Sequence, residues 1–287
     1  MILVVDSGSS DSDWMLNLPD SDPLYFQTKG LNPFFVNEKD IERVMKGVPE
    51  IIPYLNEIRE VYFFGAGCVS PDRREIVSNA LTTIFPQSFI SVESDLLGSA
   101  YASLGTEKGF ISTLGTGSDI SFYDGRQLSE SIYGNGFVLG DEGAGSSFGK
   151  RLITDFLYGN MPEEIHKDFD EKFRLTKEKV VKNVYIKERP NAFLASFAKF
   201  MKDYVQHPYV ESILTEGFDD FVRTAIRSYE NYQDYPCSFV GRIAYNFDLI
   251  LREVCERHHV KIGTILERPI NRLYEFIIAR EADYIHV

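Results

Sequence analysis

The chain has 287 residues, of which 44% are hydrophobic and 25% are charged, so it can bury one large core or two modest ones. Its formal net charge of −13 argues against a nucleic-acid-binding surface, because Lys and Arg contacts to phosphate dominate such binding. No segment reaches membrane-spanning length, and the first residues lack the basic and apolar regions of a signal peptide. We therefore expect a cytoplasmic protein with neither a membrane nor a nucleic-acid partner.

The first part of the chain predicts an α/β lobe. Residues 2–5 form a continuous apolar run, which is typical of a strand buried on both faces, and short strands are expected at 14–18 and 25–28. Apolar residues at helical spacing predict a helix over 39–57. The further elements expected are a strand at 60–64, a helix at 72–84, a strand at 89–92 and a helix at 95–104. This alternation is typical of a layered α/β domain.

The pattern begins again after residue 108. Strands are expected at 110–114, 119–123 and 127–132, followed by a helical region over 145–230 that breaks near three prolines, Pro162, Pro190 and Pro208. A strand that ends at Gly241, a helix over 243–256 and a final helix over 269–282 complete the chain. We predict an N-terminal α/β lobe over 1–108 and a C-terminal α/β lobe with a helical insert over 109–287.

Three of these strands end in glycine-containing turns that suit phosphate groups. Backbone N–H groups in such turns can approach an anion without obstruction by Cβ atoms, although glycine is also the ordinary residue of a tight connection. Asp6 ends the first strand, and a carboxylate there can bind backbone N–H groups or a hydrated Mg²⁺ ion. The candidate phosphate-binding residues are Asp6, Gly8, Ser9, Ser10, Gly115, Thr116, Gly117, Ser118, Gly241 and Arg242.

Taken in order, these turns resemble the phosphate-1, phosphate-2 and adenosine motifs of the acetate and sugar kinase, Hsp70 and actin superfamily. The segment Leu139-Gly140-Asp141-Glu142-Gly143 resembles the LGDEG motif of the branch that contains N-acetylglucosamine kinase and the BadF/BadG/BcrA/BcrD ATPases. The resemblance covers nearly the whole chain. It implies two ribonuclease H-like lobes, the actin-like ATPase fold, with ATP and Mg²⁺ bound in an interlobe cleft. It also implies, as an alternative to the division at residue 109, that the final helix over 269–282 returns to the first lobe.

The same resemblance implies a kinase that phosphorylates an amino sugar, most directly N-acetylglucosamine or a related N-acetylhexosamine. Asp95 then corresponds to the base that accepts the hydroxyl proton, whereas from the sequence alone it is also a candidate helix cap. Asp141 is likewise open to a purely electrostatic interpretation, as an acidic group before a helix. The oligomeric state that the resemblance suggests is a homodimer. The residues that it assigns to the sugar are Asn32, Gly67, Thr116, Asn135 and Asp141.

Two acidic residues depart from the pattern of the relatives. Asp11 stands where relatives carry lysine, and Asp119 stands where they carry asparagine, so each would repel bound phosphates. A second hypothesis is therefore a weakened or inactive relative that binds sugar or nucleotide as a sensor. A third is a BadF-type ATPase that activates a reductive enzyme. The scattered positions of the three cysteines, Cys68, Cys237 and Cys255, disfavour the iron–sulfur cluster of such activators.

Overall fold

The computed structural model describes residues 1–285, so residues 286 and 287, at the end of the predicted C-terminal lobe, lie outside the described part. The chain forms two compact units. The first comprises residues 1–106 together with the C-terminal segment that begins at Arg268, and the second comprises residues 107–267. Each unit is a mixed α/β structure built around its own sheet, as the predicted fold class requires.

The first unit contains a sheet with strand order β3-β2-β1-β4-β5. The strands are β1 (Ile2–Ser7), β2 (Asp11–Leu16), β3 (Leu24–Lys29), β4 (Glu60–Gly65) and β5 (Phe89–Ser94). The first three form an antiparallel meander, whereas β4 and β5 run parallel to β1. The helices of this unit are α1 (Glu38–Lys46), a 3₁₀ helix (Pro49–Tyr54), α2 (Pro71–Ile84), α3 (Asp95–Leu104) and the last helix of the chain, Ile270–Ile285.

Alternation along β1 separates its core side chains from its polar end. Leu3 and Val5 belong to the hydrophobic cluster that includes residues of α1 and α2. Asp6 therefore points to the opposite face, since successive side chains of a strand point to opposite faces. Gly98 of α3 lies against Phe64, which is the partner of Asp6 on β4, so α3 covers this second face. The last helix packs against α3, β1 and β2.

The second unit contains a sheet with strand order β7-β6-β8-β9. Its strands are β6 (Gly109–Leu114), β7 (Ser118–Tyr123), β8 (Cys237–Val240) and β9 (Ile262–Leu266), of which only β7 is antiparallel to its neighbour. Its α-helices are α4 (Gly136–Leu139), α5 (Gly145–Tyr158), α6 (Glu163–Phe173), α7 (Lys177–Tyr185), α8 (Pro190–Ala195), α9 (Pro208–Thr224), α10 (Arg242–Asn246) and α11 (Asp248–Arg257). Two 3₁₀ helices, Ser196–Tyr204 and Ile226–Ser228, accompany them. The helix over 270–285 is accordingly α12.

The predicted helix over 39–57 is wrong in its extent. It ends at Lys46 and resumes as a 3₁₀ helix at Pro49, because Gly47 closes α1 and Pro49 restricts the backbone of the residue before it. The predicted helix over 243–256 is likewise divided into α10 and α11, at Phe247.

The strand predicted at 127–132 does not form within the described residues. Leu128 makes one isolated bridge to Tyr123, and the Ser121 hydroxyl donates to the Ser129 carbonyl oxygen at 2.7 Å, which curls this segment beside β7. The expected three-stranded meander of the second sheet is therefore reduced to two strands. In contrast, β9 was not predicted; it is short, contains Gly263 and pairs with β8 in a parallel ladder that includes a register shift.

Among the described residues, no helix combines the length and the apolar character that crossing a bilayer requires.

Candidate active site

In the first unit, acidic groups gather at the ends of β1 and β2. Asp6 pairs with Asp13 across the antiparallel ladder, and Asp11 lies two residues away on the same face. The pKa of half-buried Asp6 is raised well above its ordinary value, first by burial and then by the charges of Asp95, Asp13 and Asp11. Arg268 acts in the opposite direction and lowers the pKa of Asp6. These five groups therefore share one electrostatic environment.

The loop between β1 and β2 is closed by its own backbone. The N–H of Gly8 donates to the Asp11 carbonyl oxygen at 2.9 Å, and the N–H of Gly30 donates to the Ser10 carbonyl oxygen at 3.0 Å. A Cβ atom on Gly30 would lie 2.7 Å from the carbonyl carbon of Ser9, so only glycine allows this approach. The candidate residues Gly8, Ser9 and Ser10 thus form a compact turn at the end of β1.

Asn32 and Gly67, both assigned to the sugar from sequence, are neighbours in this unit. The amide nitrogen of buried Asn32 donates to the Ser9 hydroxyl at 3.1 Å, and its Oδ1 accepts from the Phe34 N–H at 2.9 Å. Gly67 has a φ of +82°, and a Cβ atom there would lie 2.9 Å from Cγ of Asn32. Asn32 therefore links the predicted sugar residues of this unit to the first phosphate turn.

Asp95 begins α3 but does not serve as its N-cap. The cap is Ser94, whose hydroxyl accepts from the Leu97 N–H at 3.3 Å. The Asp95 carboxylate accepts from the adjacent Leu96 N–H at 3.0 Å. Ser94, and not Asp95, is therefore the N-cap of α3. The negative charge of Asp95 raises the pKa of Asp6.

The negative charge of Asp11, which was expected to repel phosphate, is paired with Arg268 from the far end of the chain. The Arg268 guanidinium donates from Nη1 to both carboxylate oxygens of Asp13, at 2.6 and 2.8 Å, and from Nη2 to Asp11 at 3.4 Å. Asp13 also accepts from the Tyr25 hydroxyl and from Nε2 of Gln27, each at 2.6 Å. Asp11 is therefore part of an ion-pair network.

In the second unit, the turn from Gly115 to Ser118 joins β6 to β7 and is fixed by Asp141. One carboxylate oxygen of Asp141 accepts from the Ser118 N–H, and the other accepts from the Ser146 hydroxyl, both at 3.1 Å. Burial raises the pKa of Asp141, while these two hydrogen bonds lower it. A Cβ atom on Gly117 would lie 2.8 Å from this carboxylate. Apart from its chain neighbours, none of the residues that the structure describes has an atom within 4 Å of the Cβ position of Gly115, so that side of the turn is open.

The backbone of α5 begins against the same turn. The N–H groups of Gly145 and Ser146 donate to the carbonyl oxygens of Gly115 and Thr116, at 2.9 and 3.0 Å. Thr116 is thus held beside the start of α5.

Gly241, at the end of β8, packs onto the beginning of the same turn. Its φ of +131° and ψ of 159° fall in a region open essentially only to glycine. A Cβ atom there would lie 2.6 Å from the carbonyl carbon of Leu114 and 3.1 Å from the nitrogen of Gly115. Arg242 follows as the first residue of α10. The second and third predicted motifs therefore meet within this unit.

Asp119 also has local partners. Its Oδ1 accepts from the Ser131 hydroxyl and from the Ile120 N–H, each at 2.8 Å. Burial raises the pKa of Asp119, and these hydrogen bonds lower it. This acid is thus used to hold the segment that follows β7.

A pocket of about 140 Å³ opens beside Asp141 in the second unit. Asn135, assigned to the sugar from sequence, lies on its wall and donates from its amide to the Ile132 carbonyl oxygen at 3.0 Å. Ser118, Glu142 and the aromatic residues Tyr133 and Phe221 also line it. The pocket therefore combines carboxylates with apolar ring surfaces.

The three cysteines are buried and do not form disulfides. Burial raises the pKa of the Cys68 thiol and of the Cys255 thiol to about 12, and it raises the pKa of the Cys237 thiol well above its ordinary value. These thiols are therefore protonated at neutral pH and are poor metal ligands in that state.

A crystal structure of a protein described as a putative N-acetylglucosamine kinase from Porphyromonas gingivalis is similar to this chain over almost its full length. The identity is 34%, the TM-score is 0.89, and the match covers 96% of this chain and 98% of that one. This chain belongs to that kinase-like family. The family is part of the sugar kinase and actin-like ATPase superfamily.

More distant structures share the fold of this family. A putative N-acetylglucosamine kinase from Chromobacterium violaceum is 15% identical with a TM-score of 0.68, and the match covers 96% of this chain and 98% of that one. A ROK family glucokinase from Streptomyces griseus, solved with glucose and AMPPNP, is 13% identical with a TM-score of 0.54, with 93% of each chain covered. No protein-family model and no curated protein matched the chain.

Sequence reasoning missed two members of the acidic network, Asp13 and Arg268. The alternation in Asp11-Ser12-Asp13 was a usable signal, because it places two carboxylates on one strand face beside Asp6 and so requires a cation. Nothing in the local sequence around Arg268 indicates that it supplies that cation.

Proposed function

We propose that this protein is an ATP-dependent kinase that phosphorylates a hydroxyl group of an amino sugar, with N-acetylglucosamine or a related N-acetylhexosamine as substrate. The observation that carries the proposal is the position of two acids at one edge of the first sheet, Asp6 at the end of β1 and Asp95 at the start of α3. Their neighbours Ser7 and Ser94 both pair with Gly65 of β4, and the charge of Asp95 raises the pKa of Asp6. Phosphoryl transfer to an alcohol needs a carboxylate that receives the hydroxyl proton and an arrangement that holds the charged polyphosphate. The 34% identity to a putative N-acetylglucosamine kinase supports the substrate class.

Asp95 is assigned the role of general base. Because Ser94 caps α3, the helix itself does not require an aspartate at position 95. The first turn of a helix favours the ionised carboxylate, which is the form that accepts a proton. Asn32 and Gly67 are assigned to the sugar in the same unit, since Asn32 is already held beside the first phosphate turn by Ser9.

The residues present fit a magnesium nucleotide. The described residues contain no group of three or more acidic, His or Cys side chains arranged to hold a metal. Asp6, at the end of β1 beside the first phosphate turn, offers one carboxylate, and Mg²⁺ is usually bound by one or two carboxylates together with waters and phosphate oxygens. When bound, Mg²⁺ and ATP supply the transferable phosphoryl group and neutralise charge around it. Within the second unit, the open side of Gly115 leaves room for phosphate beside the turn, with Gly241 and Arg242 next to it.

Asp141 and Asn135 are assigned to the sugar in the second unit. Both Asp141 oxygens already accept one hydrogen bond, but a carboxylate oxygen has a second lone-pair site and can accept a sugar hydroxyl as well. The ring of Tyr133 in the same pocket offers an apolar surface of the kind that sugars stack on. Thr116 is assigned a contact at the edge of the same turn.

The two acids that suggested a sensor have other uses. Asp11 is paired with Arg268, and Asp119 holds Ser131, so neither is a bare charge directed at phosphate. This supports the kinase over a sensor that binds sugar or nucleotide without phosphoryl transfer. The buried thiols give no support to a BadF-type activator.

The test measures ADP release with Mg-ATP across N-acetylglucosamine, N-acetylmuramic acid, glucosamine and glucose. Asp95→Asn should lower kcat by about 10²–10⁴-fold, because it removes the proton acceptor while keeping the size of the side chain. Asp72→Asn is the matched control, since Asp72 is an exposed acid in the first turn of α2, and it should behave as wild type. Unchanged turnover in Asp95→Asn refutes the base assignment, and wild-type binding without turnover indicates the sensor.

A further inference from the structure

The first phosphate turn, Gly8-Ser9-Ser10-Asp11, contains an acidic residue and no basic one. Asp11 begins β2 directly after Gly8, Ser9 and Ser10, and its carbonyl oxygen closes that turn by accepting from the Gly8 N–H at 2.9 Å. Its side chain shares a strand face with Asp6 and Asp13. A nucleotide phosphate brought to this turn would meet three carboxylates, so the structure needs positive charge at this point.

Arg268 brings that charge to the turn. Asp13, whose side chain is only 7% exposed, binds Nη1 through both oxygens and is itself oriented by Tyr25 and Gln27. Both contacts come from the one nitrogen Nη1, so Asp13 anchors that end of the guanidinium and leaves Nη2 directed at Asp11. Arg268 lies two residues before α12, and the packing of that helix on β1 and β2 places it over the acidic face.

The second arm of the guanidinium is held less tightly. Nη2 reaches Asp11 at 3.4 Å, whereas charge-assisted N–H···O bonds are ordinarily about 2.7–2.9 Å long. The side chains of Arg268 and Asp11 are 29% and 37% exposed. Nη1 is thus fixed by the buried carboxylate of Asp13, whereas Nη2 lies at the turn. A phosphate oxygen placed there would form a shorter and stronger hydrogen bond with Nη2 than Asp11 does.

We propose that Arg268 is the phosphate-binding cation of the first turn, held in place by Asp13 and Asp11, and that it replaces the basic residue that the turn itself lacks. This inference rests on the proposed nucleotide-dependent function. It adds a binding residue that lies 257 positions from Asp11 in the sequence.

The test compares Arg268→Gln with Arg280→Gln in the full chain. Arg280 is a matched control, because its side chain is 30% exposed, it pairs with Glu281 and it lies over the rings of Tyr62 and Tyr101. Affinities for Mg-ADP and Mg-ATP are measured by titration calorimetry. Loss of one charge-assisted contact should weaken nucleotide binding by about 10–100-fold in Arg268→Gln, with wild-type affinity in Arg280→Gln.

A second variant separates phosphate binding from structural support. Arg268→Gln leaves Asp13 buried without its cation, whereas Asp13→Asn/Arg268→Gln removes both charges and keeps at position 13 an amide oxygen that can still accept from Tyr25 and Gln27. The double variant should melt close to wild type and still bind nucleotide weakly. Recovery of wild-type nucleotide affinity in the double variant, or unchanged affinity in Arg268→Gln, overturns the inference.

The two proposals fail in different ways. A wild-type chain that binds Mg-ADP but transfers no phosphoryl group to any sugar refutes the kinase and leaves the comparison of the Arg268 variants intact. A wild-type chain that binds neither nucleotide overturns the assignment of Arg268 as well.

Discussion

The Gly241→Ala substitution tests whether the end of β8 must pack against the turn after β6. The backbone of Gly241, with φ +131° and ψ 159°, is open essentially only to glycine, which makes any Cβ there cost about 1–3 kcal/mol. The added atom would also lie 2.6 Å from the carbonyl carbon of Leu114, and such overpacking costs about 1–3 kcal/mol more. The expected loss of unfolding free energy is about 4 kcal/mol, which lowers the melting temperature by about 8–16 °C.

Two other alanine substitutions in the same unit separate the causes. Gly159 has a φ of +71°, but none of the described residues beyond its chain neighbours has an atom within 4 Å of its Cβ position. Gly159→Ala should therefore lower the free energy of unfolding by only about 1–2 kcal/mol, the cost of the left-handed backbone. In Gly115→Ala, the added methyl group has no described atom within 4 Å apart from those of its chain neighbours, so the melting temperature should be unchanged. Its methyl group would occupy the open side of the turn, so Mg-ADP affinity measured by calorimetry should fall. A Gly241→Ala protein that melts like wild type refutes the packing argument, and wild-type nucleotide affinity in Gly115→Ala refutes the phosphate assignment.

Two further substitutions test the remaining polar positions. Burial raises the pKa of Asp119, so the contribution of this residue to the free energy of unfolding is present at acid pH and is lost as pH rises through the folded pKa. Asp119→Asn should therefore raise the melting temperature more at neutral pH than at acid pH. Equal shifts at the two pH values would contradict this. Gly67→Ala, with φ +82° and a Cβ 2.9 Å from Cγ of Asn32, should displace that amide and weaken sugar binding by about tenfold; titration with N-acetylglucosamine checks this, and wild-type affinity would contradict the assignment of Asn32 to the sugar.

Elements whose burial is set by local sequence could be predicted. The apolar run of β1 and the helix from Asp95 to Leu104 appear where the sequence indicates them, because a buried strand needs an unbroken apolar segment and a helix needs periodic apolar positions. The strand at 127–132 failed for the opposite reason. A strand needs a partner edge, and the hydroxyls of Ser121 and Ser131 turn this segment back onto β7 instead.

In the candidate site, too, some features could be predicted from local sequence and others could not. The positions of the glycine turns could be predicted because glycine at a strand end has a local backbone cause, and the structure groups Gly115, Asp141 and Gly241 around one turn; their binding role stays a prediction. The role of Ser94 as the cap of α3 could not be separated from that of Asp95, since both residues suit an N-cap and only the observed hydrogen bond to Leu97 distinguishes them.

Asp11 shows why a departure from a local motif is a weak argument for lost function. Its charge was interpreted against the residues beside it, yet an electrostatic environment is set by every group within a few ångströms, whatever its position in the sequence. Arg268 enters that environment only because α12 packs on the sheet of the first unit. The electrostatic potential at the first turn is therefore set by Asp6, Asp11, Asp13 and Arg268 together. It depends on the packing of α12 as well as on the sequence of the loop.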